Sequence, residues 1–135
     1  MALIEWKENF SVGVQEIDTQ HKSLINMINE LNDAMKNRKG KEALEKIIQN
    51  LVSYVEKHFS TEERYFDKFG YPNTMEHKKE HSDFVQKVLE FNEGFEKGKL
   101  GLSIDVMRFL SDWLKNHILG SDQKYVRFFA EKGLK

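Results

Sequence analysis

Every histidine in this chain continues a stripe of apolar residues at helical spacing, and no other feature limits the fold as much. Steps of three and four residues define one face of an α-helix. His21 opens the stripe Leu24, Ile28, Leu31, Met35. Leu44, Ile48, Leu51 and Val55 run into His58 and then Glu62. His77 and His81 lead into Phe84, Val88, Phe91 and Phe95, and Val106, Leu110 and Trp113 lead into His117. The histidines stand at the starts of the first and third stripes and at the ends of the second and fourth. In an antiparallel arrangement those ends coincide, so the five histidines and Glu62 share one layer of the core.

The breakers between stripes set the expected elements. Met1 to Ile17 lacks the helical pattern and reads as an extended arm in which Trp6, Phe10, Val12, Val14 and Ile17 lie on the domain. Asp18 is an expected N-cap for a helix over about 19–37. A basic turn, Lys36 to Lys41, leads to a helix over about 41–67 and is read as a solvated connection. Gly70, Tyr71 and Pro72 interrupt the chain, and Asn73 with Glu76 resembles a capping box for a helix to about Lys97. Gly98 and Gly101 break it again. Ser103 is the expected cap of a helix ending near Leu119, with Gly120 as its stop and a short helical piece from Asp122 to Glu131. The fold class is therefore all-α: an up-down-up-down antiparallel four-helix bundle within one domain, 1–135, with the arm at 1–17, the bundle at about 18–120 and a C-terminal segment at about 121–135. A looser array of the same helices is the alternative.

A buried polar layer needs a reason. Each unpaired buried polar group costs on the order of 1–3 kcal/mol, and an ionised carboxylate more. A domain whose net stability is roughly 5–15 kcal/mol does not carry a whole layer of them without compensation. A cation that takes the lone pairs removes the difficulty. Five imidazoles exceed what one tetrahedral zinc uses, which points to two ions with a carboxylate between them. The chain has no cysteine, so thiolate sites, disulfides and iron–sulfur clusters are out, and nitrogen and oxygen donors suit iron, manganese or, less well, zinc and copper. Two Glu-x-x-His motifs would mark a ferritin-like oxidase; only Asp18 precedes a histidine by three residues. With every histidine in the metal layer, no Ser-His-Asp triad is left.

Charge and hydropathy exclude other classes. The 21 basic and 22 acidic residues nearly cancel, unlike a basic nucleic-acid binder or a polyacidic tail. No apolar run approaches the roughly 20 residues that span a bilayer, so no membrane insertion is expected. The first ten residues lack a basic and then apolar leader pattern, and the expected location is cytoplasmic. No coiled-coil extension is present, and the chain reads as a monomer.

Taken together, Trp6, the run Phe10-Ser11-Val12-Gly13-Val14, Ile17-Asp18, Gln20-His21, His58-Phe59, Glu62-Glu63, Tyr71-Pro72, His77, His81, Trp113-Leu114, His117-Ile118, Asp122 and Tyr125 resemble hemerythrin, in particular the single-domain bacteriohemerythrins. The resemblance runs nearly end to end. It implies two irons with an oxo or hydroxo bridge. It assigns His77, His81 and His117 to one iron, His21 and His58 to the other, and Glu62 and Asp122 to both as bridges. Asp122, five residues after His117, lies off the regular stripe and is named by the resemblance alone.

The same resemblance implies a function. The ligand count fills the three-histidine iron and leaves one position open on the other, where dioxygen binds and is released. Phe59, Trp113, Leu114 and Ile118 flank ligands and are expected to wall the oxygen pocket, with Leu24 as a further candidate. None of the four offers an acid or hydroxyl, which favours reversible binding over oxidase chemistry. The leading function is oxygen storage, transport or delivery, with an oxygen-consuming enzyme as the partner such a carrier serves. Oxygen, redox or iron sensing, di-iron oxidase or peroxidase activity, and a zinc or metal-free bundle are the alternatives.

Overall fold

The apolar stripes come together as the core of four helices in the computed structural model, which describes residues 4–37, 40–98 and 101–134. Helix α1 spans Gln15–Lys36, α2 Gly40–Phe69, α3 Thr74–Glu96 and α4 Leu102–Trp113. They form an antiparallel bundle in which α1 and α3 each pack on α2 and α4. Beyond α4 the chain stays helical, through a π-helical segment Leu114–Ser121, a 3-10 turn Asp122–Tyr125 and a short α5, Val126–Glu131. There is no strand among the described residues, and none of the helices described is long and apolar enough to cross a membrane.

Several expected caps are replaced. Asp18 lies inside α1, which starts earlier, at Gln15. Its carboxylate accepts from Ser11 Oγ at 2.6 Å and Val12 N–H at 2.8 Å, so it ties down the arm instead of capping the helix. The arm is not wholly extended: Glu8–Phe10 forms a 3-10 turn, and Phe10, Val12 and Val14 are buried. Farther up, Asn29 exchanges hydrogen bonds with both backbone groups of Ile4, at 2.9 and 2.8 Å. Asn73 precedes α3 but its side chain makes no capping bond; Thr74 Oγ1 donates to the Tyr71 carbonyl instead, at 2.5 Å. Gly101, with φ +73°, precedes α4 in place of Ser103. The end of α2 matches its sequence signal. Gly70 adopts φ +69°, open to glycine without a side-chain penalty, and Tyr71 N–H closes back on the Phe66 carbonyl at 3.0 Å. Lys36 is exposed, whereas Arg38, Lys39 and the side chain of Lys41 lie outside the described residues.

The polar layer is not the end of the core. A large apolar cluster fills the bundle on one side of it. A second cluster of Val12, Val14, Ile17, Phe66, Tyr71, Tyr125 and Phe129 closes the other side. Phe66 continues the α2 stripe one turn beyond Glu62, the arm supplies two valines, and the C-terminal segment supplies Tyr125 and Phe129. Both clusters hold water away from the layer between them.

Candidate metal centre

The five histidines, Glu62 and Asp122 all meet in this layer, and all seven are buried. Their nitrogen and oxygen atoms form two groups, each with donors within 4.8 Å of one another. One holds Glu62, His77, His81 and His117; the other holds His21, His58, Glu62 and Asp122. Glu62 belongs to both: its Oε1 lies 3.2 Å from His58 Nε2, 3.1 Å from His81 Nε2 and 3.8 Å from His77 Nε2. Asp122 also faces both sides. Its Oδ1 is 2.8 Å from His77 Nε2 and 3.0 Å from His117 Nε2, and its Oδ2 is 3.1 Å from His21 Nε2.

Asp122 reaches this place because the helix changes pitch. In an α-helix a residue five positions on is rotated by about 140° from the first, so Asp122 would face away from His117. Across the π-helical segment the turn is wider, and Asp122 N–H donates to the carbonyl of His117, five residues back. Gly120 therefore lies within the helical run, and the expected stop does not occur.

Three of the five imidazoles, those of His58, His81 and His117, are held from outside through their opposite ring nitrogens. His58 Nδ1–H donates to Gln20 Oε1 at 2.6 Å, and Gln20 Nε2 donates to Thr61 Oγ1 at 3.1 Å. His81 Nδ1–H donates to Glu63 at 3.0 Å, and His117 Nδ1–H to Glu80 at 3.2 Å. Glu80 is fixed in turn by Ser121 Oγ at 2.7 Å. Tyr125 donates to Glu62 Oε2 through a short hydrogen bond. A proton on Nδ1 leaves the Nε2 lone pair free, which is the form a metal ligand needs. Gln20, Glu63 and Tyr125 carry no role in the stripes, and Glu80 stands out in no motif. The available signals were their positions: Gln20 and Glu63 are adjacent to ligands, and Tyr125 is one 3-10 turn beyond Asp122.

The inward atoms are left over. His77 Nε2, His81 Nε2, His117 Nε2, Glu62 Oε1 and both Asp122 oxygens are buried and make no hydrogen bond, although they crowd within ion-pair distance. His21 Nε2 and His58 Nε2 face each other at 3.2 Å. Lone pairs aimed at common points and not at protons are what a cation requires, and the nitrogen and oxygen donors fit iron.

Without metal, protons take the cation's part. Burial opposes the charged form of His77, but the carboxylates of Asp122 and Glu62, which accept from the ring once it is protonated, outweigh it and raise its pKa to about 10. The same balance raises His81 and His21. Burial dominates at His58 and lowers it. Burial also works against the charge of Glu62 and Asp122, yet the surrounding histidines hold both carboxyls below their usual range.

The proposed wall residues divide between the groups. Phe59 stacks face to face on His81 at 3.8 Å between ring centres, and lies 5.6 Å from His58. Trp113 stacks on His117 at 3.9 Å, so it flanks the three-histidine group rather than His21 or His58. Leu114, Ile118 and Leu24 are buried in the large apolar cluster beside the layer.

A family model for the hemerythrin HHE cation binding domain matches residues 12–129. A bacteriohemerythrin of Pseudomonas aeruginosa is 38% identical over 128 residues, covering 93% of this chain and 81% of its own. One of Clostridium acetobutylicum is 33% identical over 125 residues, covering 90% and 97%. The crystal structure of a wild-type hemerythrin superposes with a TM-score of 0.79 at 32% identity, over 93% of this chain and 97% of that one.

Proposed function

Because the chain belongs to the hemerythrin family, whose domain holds a di-iron centre, we propose that it binds dioxygen reversibly for storage, transport or delivery. In this reading His77, His81 and His117 hold one iron, His21 and His58 hold the other, and Glu62 and Asp122 bridge them. The observation that carries it is the asymmetry of the two donor groups: three histidines gather on one side and two on the other, with both carboxylates reaching both sides.

When bound, the two irons supply the electrons and the open coordination position that dioxygen needs. The chain's own residues make the exchange reversible. Gln20 holds His58 in one orientation, and Tyr125 holds Glu62. The apolar clusters on both sides of the layer exclude water, which limits proton delivery and loss of the ligand as a reduced product. Leu114 and Ile118 present only aliphatic surface.

The experiment is an optical spectrum of reduced, iron-loaded protein before oxygen, after oxygen and after its removal. A visible band that appears and then disappears supports reversible binding. Permanent conversion to the oxidised spectrum overturns it in favour of redox sensing or turnover. A Leu114→Glu variant places a carboxyl group in the apolar wall and is expected to shorten the lifetime of the oxygenated spectrum by about tenfold or more, through proton supply. An unchanged decay rate would remove Leu114 from the wall.

A further inference from the structure

The apolar wall contains one hydroxyl. Tyr54 lies on α2 one turn before His58, and its ring stacks on the His58 ring at 5.0 Å with an interplanar angle of 18°. It is buried in the same apolar cluster as Leu24, Leu114 and Ile118, against the edges of Phe59 and Phe84. Its Oη is buried and has no hydrogen-bond partner. Phenylalanine would pack equally well there without the desolvation cost of an unpaired hydroxyl, on the order of 1–3 kcal/mol. Tyr71 and Trp113 also carry buried, unpaired polar atoms, but their ring contacts are with other aromatics and, for Trp113, with His117. Tyr54 alone of the three lies against a histidine of the two-histidine group.

We propose that Tyr54 is the hydrogen-bond donor for the small ligand taken up beside His58, and that its hydroxyl sets how tightly oxygen-class ligands and small anions are held there. This rests on the reading that the open position belongs to the His21 and His58 side. A tyrosine phenol, with an ordinary pKa of about 10, is protonated at neutral pH and available as a donor. This role also accounts for the one hydroxyl of the large apolar cluster: a held donor stabilises a bound acceptor without releasing its own proton.

The test uses azide on the oxidised, iron-loaded protein, with Tyr54→Phe as the variant. The ring is kept, so helical content and iron per chain are expected to stay at the parent's values. Azide affinity is expected to fall about tenfold, the usual scale for a hydrogen bond to a charged acceptor. The infrared stretch of bound azide is expected to shift in the variant and to lose the sensitivity to deuterated water that the parent shows, a signature that packing alone does not produce. Equal affinity with an unmoved stretch overturns the role of Tyr54 and leaves the oxygen-binding reading standing. A parent that carries both irons yet binds no azide overturns the open position itself, and the proposal with it.

Discussion

Glu62→Ala is expected to empty the whole metal layer, whereas His21→Ala is expected to leave one iron in place of two. The difference follows from geometry. Glu62 Oε1 stands between His58, His77 and His81, and belongs to both donor groups; His21 belongs to one. Removing the carboxylate shared by the two donor groups would take a ligand and its negative charge from both proposed iron sites at once. Removing His21 leaves His77, His81, His117 and Glu62 intact as a group. Iron per folded chain, measured by elemental analysis after removal of loosely held metal, decides the matter. Circular dichroism identifies any variant that has lost helix because the Tyr125 bond to Glu62 is also gone. Equal iron loss in the two variants would overturn the two-group assignment.

The second large effect is a pH-dependent gap between loaded and metal-free protein. His77, with its pKa raised from 6.5 to about 10, contributes stability that is fully present below pH 6.5 and is lost as pH rises through 10. His81 and His21 act in the same direction. Glu62 and Asp122 are lowered, so their contribution is present above their ordinary values of 4.5 and 3.8 and is lost as pH falls further. His58 is lowered and works the other way, but the three raised histidines outnumber it, so metal-free protein is expected to weaken as pH rises above about 6.5. Iron replaces those protons, and its binding strengthens as they leave. Each proton displaced widens the gap by about 1.4 kcal/mol per pH unit. Thermal unfolding midpoints of the two forms, measured from about pH 6.5 to pH 8.5, are expected to diverge steadily. A constant gap would mean that protons and metal do not compete for these side chains.

The fold and most of the site were legible because both follow helical periodicity. A histidine on an apolar stripe enters the core wherever that helix packs, so His21, His58, His77, His81, His117 and Glu62 could be placed in one layer by counting spacings and helix directions. Helix starts were less legible. Asp18 has the chemistry of a cap, but the backbone it satisfies belongs to the arm at Ser11 and Val12, a contact that exists only once the arm folds back.

Residue type and order by themselves determined an all-helical chain with a nitrogen- and oxygen-lined polar layer suited to metal. How that layer is closed and held follows from contacts between helices and with the arm. The π-helical segment turns Asp122 under His117, which no regular period predicts, because a shift in pitch is set by what the helix packs against. Gln20, Glu63 and Glu80 hold His58, His81 and His117 from neighbouring helices, through hydrogen bonds between residues 18 to 38 positions apart. Phe66, Tyr125 and the arm valines seal the far side. Such contacts depend on which helix faces fall opposite one another, and one-dimensional spacing carries that information only within a single helix.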